Sequence, residues 1–274
     1  MFSTKKILGT IVILFSFFYA QAQEVAGYNT NSVRPVHEYD QFYKKTLWFR
    51  INGREKQNRG FFASNNEITK IIIEAVKAGV IRPFYNDSLK DRMPFEEFKQ
   101  RLSIPGVVGE GEDMSVFNNG DWDSEEHSTV PAPKPIPEYF PKDLYLLEMK
   151  EHMIFDKRKS RMMHDIQAIT IKIPSELDRG GLEKSLGTFS YKELIENVFK
   201  GNPDAVWYNT ENESENRNLA DAFDLRLFSG MLIKYGNERD AAIVDLYGEG
   251  RAAVIASQQM LYQIIDYEQD LWEN

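Results

Sequence analysis

The chain has 274 residues, a formal net charge of −9 at pH 7 and no cysteine. Its acidic balance argues against nucleic acid as a partner, because phosphate binding requires a basic surface. Without cysteine we expect no disulfides, and no lipoprotein anchor, which needs a cysteine at the start of the mature chain. The length suits one large domain or two small ones.

The N-terminus is typical of a secretory signal peptide. Lys5 and Lys6 precede an apolar run over residues 7–20, which is shorter than the roughly 20 residues that a membrane span needs. Residues 20–22, Ala-Gln-Ala, place small side chains where a signal peptidase reads. We therefore expect cleavage before Gln23, export of the mature chain, and no direct insertion into a membrane.

Residues 105–143 predict a connector between two modules. This stretch holds nine Asp/Glu and two Lys and has no apolar periodicity, so it buries too little apolar surface to offset its ordering entropy. The Pro-rich run over 131–137 favours a stiff polyproline II path. We expect an N-terminal arm at 23–37, a first module at 38–104, this connector, and a second module at 144–274.

In the first module, residues 47–51 alternate in polarity and predict a strand. Residues 64–79 predict a helix that begins with a capping box of Ser64 and Glu67 and ends at Gly79. A short edge strand over 80–85 and a helix that opens at Pro94 follow. The predicted inward side chains of these two helices are Ile68, Ile71, Ile72, Ala75, Val76, Phe95, Phe98 and Leu102.

In the second module, residues 144–173 predict two long strands joined by a turn at 156–161. A loop up to Thr188, a helix with a capping box of Ser190 and Glu193, a short strand, a helix over 219–227 and a strand over 230–235 follow. A long C-terminal helix then runs from Ala252 to about Leu271. One face of it carries Val254, Ile255, Leu261, Tyr262, Ile265 and Trp272. We expect this face to dock on the helix's own domain, and a second interaction surface is the alternative.

The order of elements is similar on the two sides of the connector. Each side has a strand, a basic turn, a helix stopped by glycine, a short strand that ends in Tyr-Asn, and a helix that carries Phe and then Arg-Leu. We therefore predict an α+β fold of two related modules with a long C-terminal helix. Two unrelated α+β layers that share common caps and turns remain the alternative.

No catalytic or metal site is predicted. His152 and His164 could face one another across the predicted hairpin, but a third ligand at a metal-binding spacing is not identifiable. The chain also lacks the Gly-x-Ser-x-Gly elbow of serine hydrolases, and no cofactor motif is found. A periplasmic hydrolase with a carboxylate and histidine site around His152 and His164 remains an alternative function, as does a secreted adhesin.

The turn between the long strands concentrates positive charge. Lys157, Arg158, Lys159 and Arg161 stand together at the tip of the predicted hairpin. Such a tip is usually only solvated, but it would also suit acidic residues on a partner or on the next copy of the chain. A contact of that second kind is heterologous and generates rings or filaments.

Three segments resemble the GldN/PorN family of the Bacteroidetes type IX secretion and gliding machinery. Residues 48–58, WFRINGREKQN, resemble its W-R-x-I-x-x-R-E-K-x-N signature with Phe49 inserted. Phe155, Asp156, Lys157 and Ser160 match its F-D-K-x-x-S hairpin, and residues 267–273 resemble its ending. The resemblance covers residues 33–274.

The resemblance implies a non-enzymatic structural subunit in the periplasm, held at the outer membrane through a GldK/PorK-like lipoprotein. Further implied partners are a GldM/PorM-like periplasmic motor component and other copies of the chain in a ring. The candidate partner-binding residues are the four tip cations together with Arg50, Arg54 and Trp272.

Overall fold

The structure of the protein, a computed structural model, describes residues 27–105, 137–178 and 180–273. The predicted signal peptide and residues 106–136 of the predicted connector lie outside the described residues. The strands are β1 (Gln41–Asn52), β2 (Phe62–Ala63), β3 (Asn66–Glu67), β4 (Leu146–Asp156), β5 (Arg161–Ile173), β6 (Lys184–Ser190), β7 (Val206–Trp207), β8 (Arg217–Asn218) and β9 (Met231–Tyr235). The α-helices are α1 (Ile68–Lys77), α2 (Phe95–Leu102), α3 (Tyr191–Leu194), α4 (Leu219–Asp224), α5 (Ile243–Tyr247) and α6 (Arg251–Glu273). The predicted α+β class is confirmed.

A five-stranded sheet with the strand order β6-β5-β4-β1-β9 organises these elements. The predicted pair of long strands is confirmed as β4 and β5. Strand β1 precedes the predicted connector, yet its neighbours β4 and β9 both follow it. Two smaller sheets pair β2 with β3 and β7 with β8. Long-range pairing, which sequence periodicity does not report, therefore joins the two halves of the chain.

The chain divides into two compact units, each assembled from separate segments. The first unit comprises Met1–Leu47, Glu151–Gln167 and Lys234–Asn274, and the second comprises Trp48–Lys150 and Ala168–Ile233. Strands β1, β4, β5 and β9 each divide between the units, and the boundaries predicted from the sequence, 38–104 and 144–274, stay a prediction.

Strand β6 corrects the prediction of a loop up to Thr188. It pairs antiparallel with β5, from Ala168 opposite Ser190 to Ile173 opposite Lys184. Gly187 interrupts the run of apolar and β-branched residues by which a strand is predicted from sequence. A Cβ atom at Gly187 would lie 3.1 Å from Cβ of Pro83 and 3.4 Å from the Phe98 ring, so the glycine permits close approach of these neighbours.

Helix α1 begins later than the predicted capping box requires. Ser64 lies in the turn between β2 and β3, and the Glu67 carboxylate accepts a hydrogen bond from the Asn65 backbone N–H at 3.2 Å. The predicted end is confirmed: the N–H groups of Gly79 and Val80 donate to carbonyls of the last turn, and Gly79 has a φ of 73°, as a Schellman motif requires. The predicted inward residues are buried apart from half-buried Ala75.

Three further expectations in the second unit are wrong. Residues 80–85 form no strand, and only Phe84 makes isolated bridges, to Arg92 and Thr188. Phe95 points outward, with 43% of its surface exposed. The second capping box is absent, because Ser190 makes no side-chain cap hydrogen bond. The helix there is instead a single α-turn that continues into a π-turn, Ile195–Phe199.

The C-terminal helix reverses the predicted orientation of its apolar face. Its buried residues are Ala253, Ala256, Ser257 and Ile264, while Val254, Ile255, Tyr262 and Ile265 are exposed. Small side chains let a helix approach its support closely, and a search for large apolar residues overlooks them. Within the described ranges, no helix combines the length and apolar character that a membrane crossing demands.

Candidate functional site

The hairpin tip between β4 and β5 has a fixed backbone. The side chain of Asp156 is almost fully buried, and its Oδ1 atom accepts hydrogen bonds from the backbone N–H groups of Arg158, at 2.9 Å, and Lys159, at 3.2 Å. Ser160 adopts a left-handed φ of 48°. An aspartate that binds the turn following it is an Asx-type motif. The turn is therefore held from inside, and its cations project into solvent.

The tip is also tied to the short 3-10 turn Glu38–Asp40. The backbone N–H of Lys157 donates to the Asp40 carbonyl at 2.9 Å. The Lys157 Nζ atom lies 4.0 Å from the centre of the Tyr39 ring, a cation–π distance. Lys159 Nζ lies 3.7 Å from Asp156 Oδ2. Arg158 and Arg161 are exposed.

Two aromatic side chains that the sequence did not single out stand beside these cations. Tyr39 is 77% exposed and Phe42 is 64% exposed. The Phe42 ring packs edge-on against Phe155, with 6.3 Å between the ring centres. We name the six side chains of this region the tip surface: Tyr39, Phe42, Lys157, Arg158, Lys159 and Arg161. Its exposed aromatic and arginine side chains are of the types enriched at protein interfaces, although lysine is not.

Arg50 and Arg54 instead make ion pairs within the second unit. Arg50 Nη2 lies 2.8 Å from Glu183 Oε2 and 3.4 Å from Glu148 Oε1. Arg54 Nη1 lies 3.2 Å from Glu176 Oε2, and its guanidinium stacks 3.7 Å from the centre of the Tyr145 ring. These contacts indicate that both arginines stabilise their own unit. The backbone of Trp272 belongs to α6, and its side chain lies outside the description.

The two histidines of the hydrolase alternative have different partners. His152 Nδ1 lies 3.0 Å from Thr46 Oγ1, and His164 Nδ1 lies 3.2 Å from Glu151 Oε1. Burial raises the pKa of the neighbouring Asp165 to about 6, and the hydrogen bond from Gln167, at 2.6 Å, opposes that rise. Among the described residues, no three His, Asp or Glu side chains form a group that would hold a metal ion.

Among the grooves that the described residues of the second unit form are three of about 480 to 610 Å³. The groove of about 610 Å³ is lined by the end of α1, the segment that follows it and the start of α2. None of the three linings includes His152 or His164. These grooves therefore give no substrate site to the predicted pair of histidines.

A family model described as "Gliding motility associated protein GldN" matches residues 36–273. The chain belongs to the GldN family. The resemblance seen in the sequence is thereby confirmed, and family membership associates the chain with gliding motility and type IX secretion. Among curated proteins, a search finds no match to it.

The GldN signature segment of this chain makes contacts within the second unit. Trp48 Nε1 donates to Asp87 Oδ2 at 2.7 Å. Asn58 is fully buried, and its amide donates to the carbonyls of Asn52 and Ser229, both at 2.9 Å. Its Oδ1 accepts from the Ser229 N–H at 2.7 Å. In this GldN chain, the signature therefore fixes the turn after β1 against the segment that leads into β9.

Proposed function

We propose that the chain is a non-enzymatic structural subunit of the type IX secretion and gliding machinery. It assembles with a GldK/PorK-like lipoprotein into a ring complex in the periplasm, at the inner side of the outer membrane. The observation that carries this proposal is the GldN family match across residues 36–273. A GldM/PorM-like motor component and further copies of the chain complete the set of proposed partners.

The tip surface supports an assembly role. Its backbone is held by buried Asp156, so binding does not have to order the turn that carries the four cations. Exposed Tyr39 and Phe42 add apolar contact area next to these charges. The partner that fits is a protein surface with carboxylates around an apolar centre. Complementary charge of this kind speeds association and fixes the register of two partners.

Cell fractionation tests the proposed location. Tagged chain should sediment with the outer membrane, and it should move to the soluble periplasmic fraction when the lipoprotein partner is deleted. Persistent membrane association without that lipoprotein would contradict attachment through it. Recovery of the chain mainly from the culture medium would favour the secreted adhesin.

A further inference from the structure

The C-terminal helix presents an unused apolar face. Val254 is 41% exposed, Ile255 42%, Tyr262 68% and Ile265 48%, and half-buried Leu261 lies among them. These five residues, the helix stripe, span about 120° of the helix circumference at ~100° per residue. Gln258 lies within this span and is uncharged. Clustered exposed apolar side chains of this kind mark an interaction surface.

The opposite face of α6 already docks the helix on the first unit. Ala253, Ala256, Ser257 and Ile264 are buried there. On the same side, Met260 Sδ lies 3.8 Å from Lys45 Nζ, and the Tyr267 ring lies 4.7 Å from the Tyr43 ring. The helix is therefore held in place without the stripe, and the stripe remains open within the described part of the first unit.

The charges at the two ends of the stripe indicate which partner binds it. Exposed Arg251 stands at its N-terminal end and exposed Asp266 at its C-terminal end. We propose that the stripe binds the same stripe of a second copy, with the two α6 helices antiparallel. In that direction Arg251 of each copy approaches Asp266 of the other, whereas parallel helices would bring like charges together.

The apolar residues are self-complementary in the same direction. A twofold axis between Gln258 and Tyr262 sets Ile255 of one copy opposite Ile265 of the other, on both sides of the axis. A contact that uses one patch twice is isologous and closes as a dimer. It therefore differs from a heterologous contact between successive ring subunits.

The size of the stripe predicts a modest affinity. From Val254 to Ile265 it is about 17 Å long at ~1.5 Å per residue. One helix face of that length buries less than the ~800 Å² per partner of a standard interface. Helix α5, which packs against α6, adds the exposed side chains of Val244 and Tyr247. We therefore expect dissociation in the micromolar range. An anionic membrane is a poorer occupant, because Asp266 and half-buried Glu268 border the stripe near its C-terminal end.

The absence of cysteine gives a clean cross-linking test. Gln258→Cys places one thiol on the stripe, and Gln263→Cys places one on an exposed position of the same helix outside it. With the purified chain at roughly 100 μM, a concentration that fills a micromolar interface, a short bismaleimide should link Gln258→Cys into dimers. It should leave Gln263→Cys monomeric. Equal linkage of both variants, or linkage of neither, overturns the proposal.

A second pair of variants separates the contact from chance collision. Adding Ile265→Asp to Gln258→Cys should abolish the cross-link, while adding Gln263→Asp should leave it unchanged. Cross-linking of Gln258→Cys only to another protein of an envelope extract would also overturn the proposal. Because the comparisons between variants use the purified chain alone, their failure leaves the proposed lipoprotein contact untouched.

Discussion

The Nζ atom of Lys157 lies 4.0 Å from the ring centre of Tyr39, and the Lys157 backbone N–H donates to the Asp40 carbonyl. The two contacts join the tip of the β4–β5 hairpin to the segment that enters β1. The charged ends of Lys157, Arg158 and Lys159 can therefore be changed while the backbone that positions them stays anchored by Asp156.

Reversing these charges tests the tip surface. We expect the triple variant Lys157→Glu, Arg158→Glu and Lys159→Glu to lose capture of the lipoprotein partner. Its unfolding free energy should fall by about 1–2 kcal/mol: the exposed cation–π contact of Lys157 contributes little, whereas Lys159→Glu replaces the ion-pair partner of buried Asp156 with a like charge. Pull-down and urea unfolding measure the two effects.

The matched control for the tip reverses three exposed lysines elsewhere, Lys56, Lys90 and Lys200. It has the same change in net charge and should retain the partner. If both triple variants lose the partner equally, net charge and not the tip surface controls assembly.

Arg54 should act mainly on stability. Arg54→Ala removes the stacking on Tyr145 and the ion pair with Glu176, for a loss of about 1 kcal/mol. Arg54→Lys keeps a positive charge near Glu176 but loses the planar stacking, and should fall between wild type and Arg54→Ala. Urea unfolding measures all three chains. An unchanged stability of Arg54→Ala, together with lost partner capture, would restore Arg54 as a contact residue.

Asn58 is expected to be the most sensitive position of the signature segment. Asn58→Ala leaves the Asn52 and Ser229 carbonyls and the Ser229 N–H without their buried partner, which costs about 2–4 kcal/mol. Asn66→Ala, which removes one exposed hydrogen bond to Tyr208, is the control and should cost under about 1 kcal/mol. Thermal unfolding of both variants measures the two losses of stability. Similar melting temperatures would show that the buried network is not needed.

The buried carboxyl of Asp165 should make the free energy of unfolding depend on pH. Burial raises its folded pKa to about 6 from the usual 3.8, so the folded state holds this proton more tightly than the unfolded state. The resulting stabilisation is present below about pH 4 and is lost as the pH rises through about 6. Asp165→Asn removes the ionisation. At pH 8 it should be more stable than wild type by up to about 3 kcal/mol, and near pH 4 the two should agree.

Urea unfolding across this pH range checks the Asp165 expectation, with Asp204→Asn at an exposed site as the control. The control should follow wild type at every pH. Parallel stability curves for wild type and Asp165→Asn would show that the carboxyl is not held neutral.

The sequence predicted those elements whose signal is local. Alternation identified part of β1, and helical spacing identified the buried face of α1 and its glycine end. Ser64 and Glu67 match a capping box equally well, but the chain uses them in the β2–β3 turn, because pairing of Phe62 with Glu67 competes for the same residues. Spacing alone does not report that competition.

The candidate site was predicted only in part. The run of charge identified the cations of the tip, but the exposure of Tyr39 and Phe42 depends on what packs around them. The orientation of α6 was predicted wrongly for the same reason, because exposure depends on tertiary packing. Periodicity located its apolar stripe, yet the side that faces the first unit was decided by the small residues Ala253 and Ala256.

Purification of the tagged chain from detergent-solubilised envelopes, with mass spectrometry and electron microscopy of the product, tests whether the chain is a ring subunit held by a lipoprotein. We expect co-purification of an outer-membrane lipoprotein in stoichiometric amount, in ring-shaped particles that the tip charge-reversal variant does not form. A chain recovered from the envelope without any lipoprotein, under conditions that preserve other envelope complexes, would contradict it.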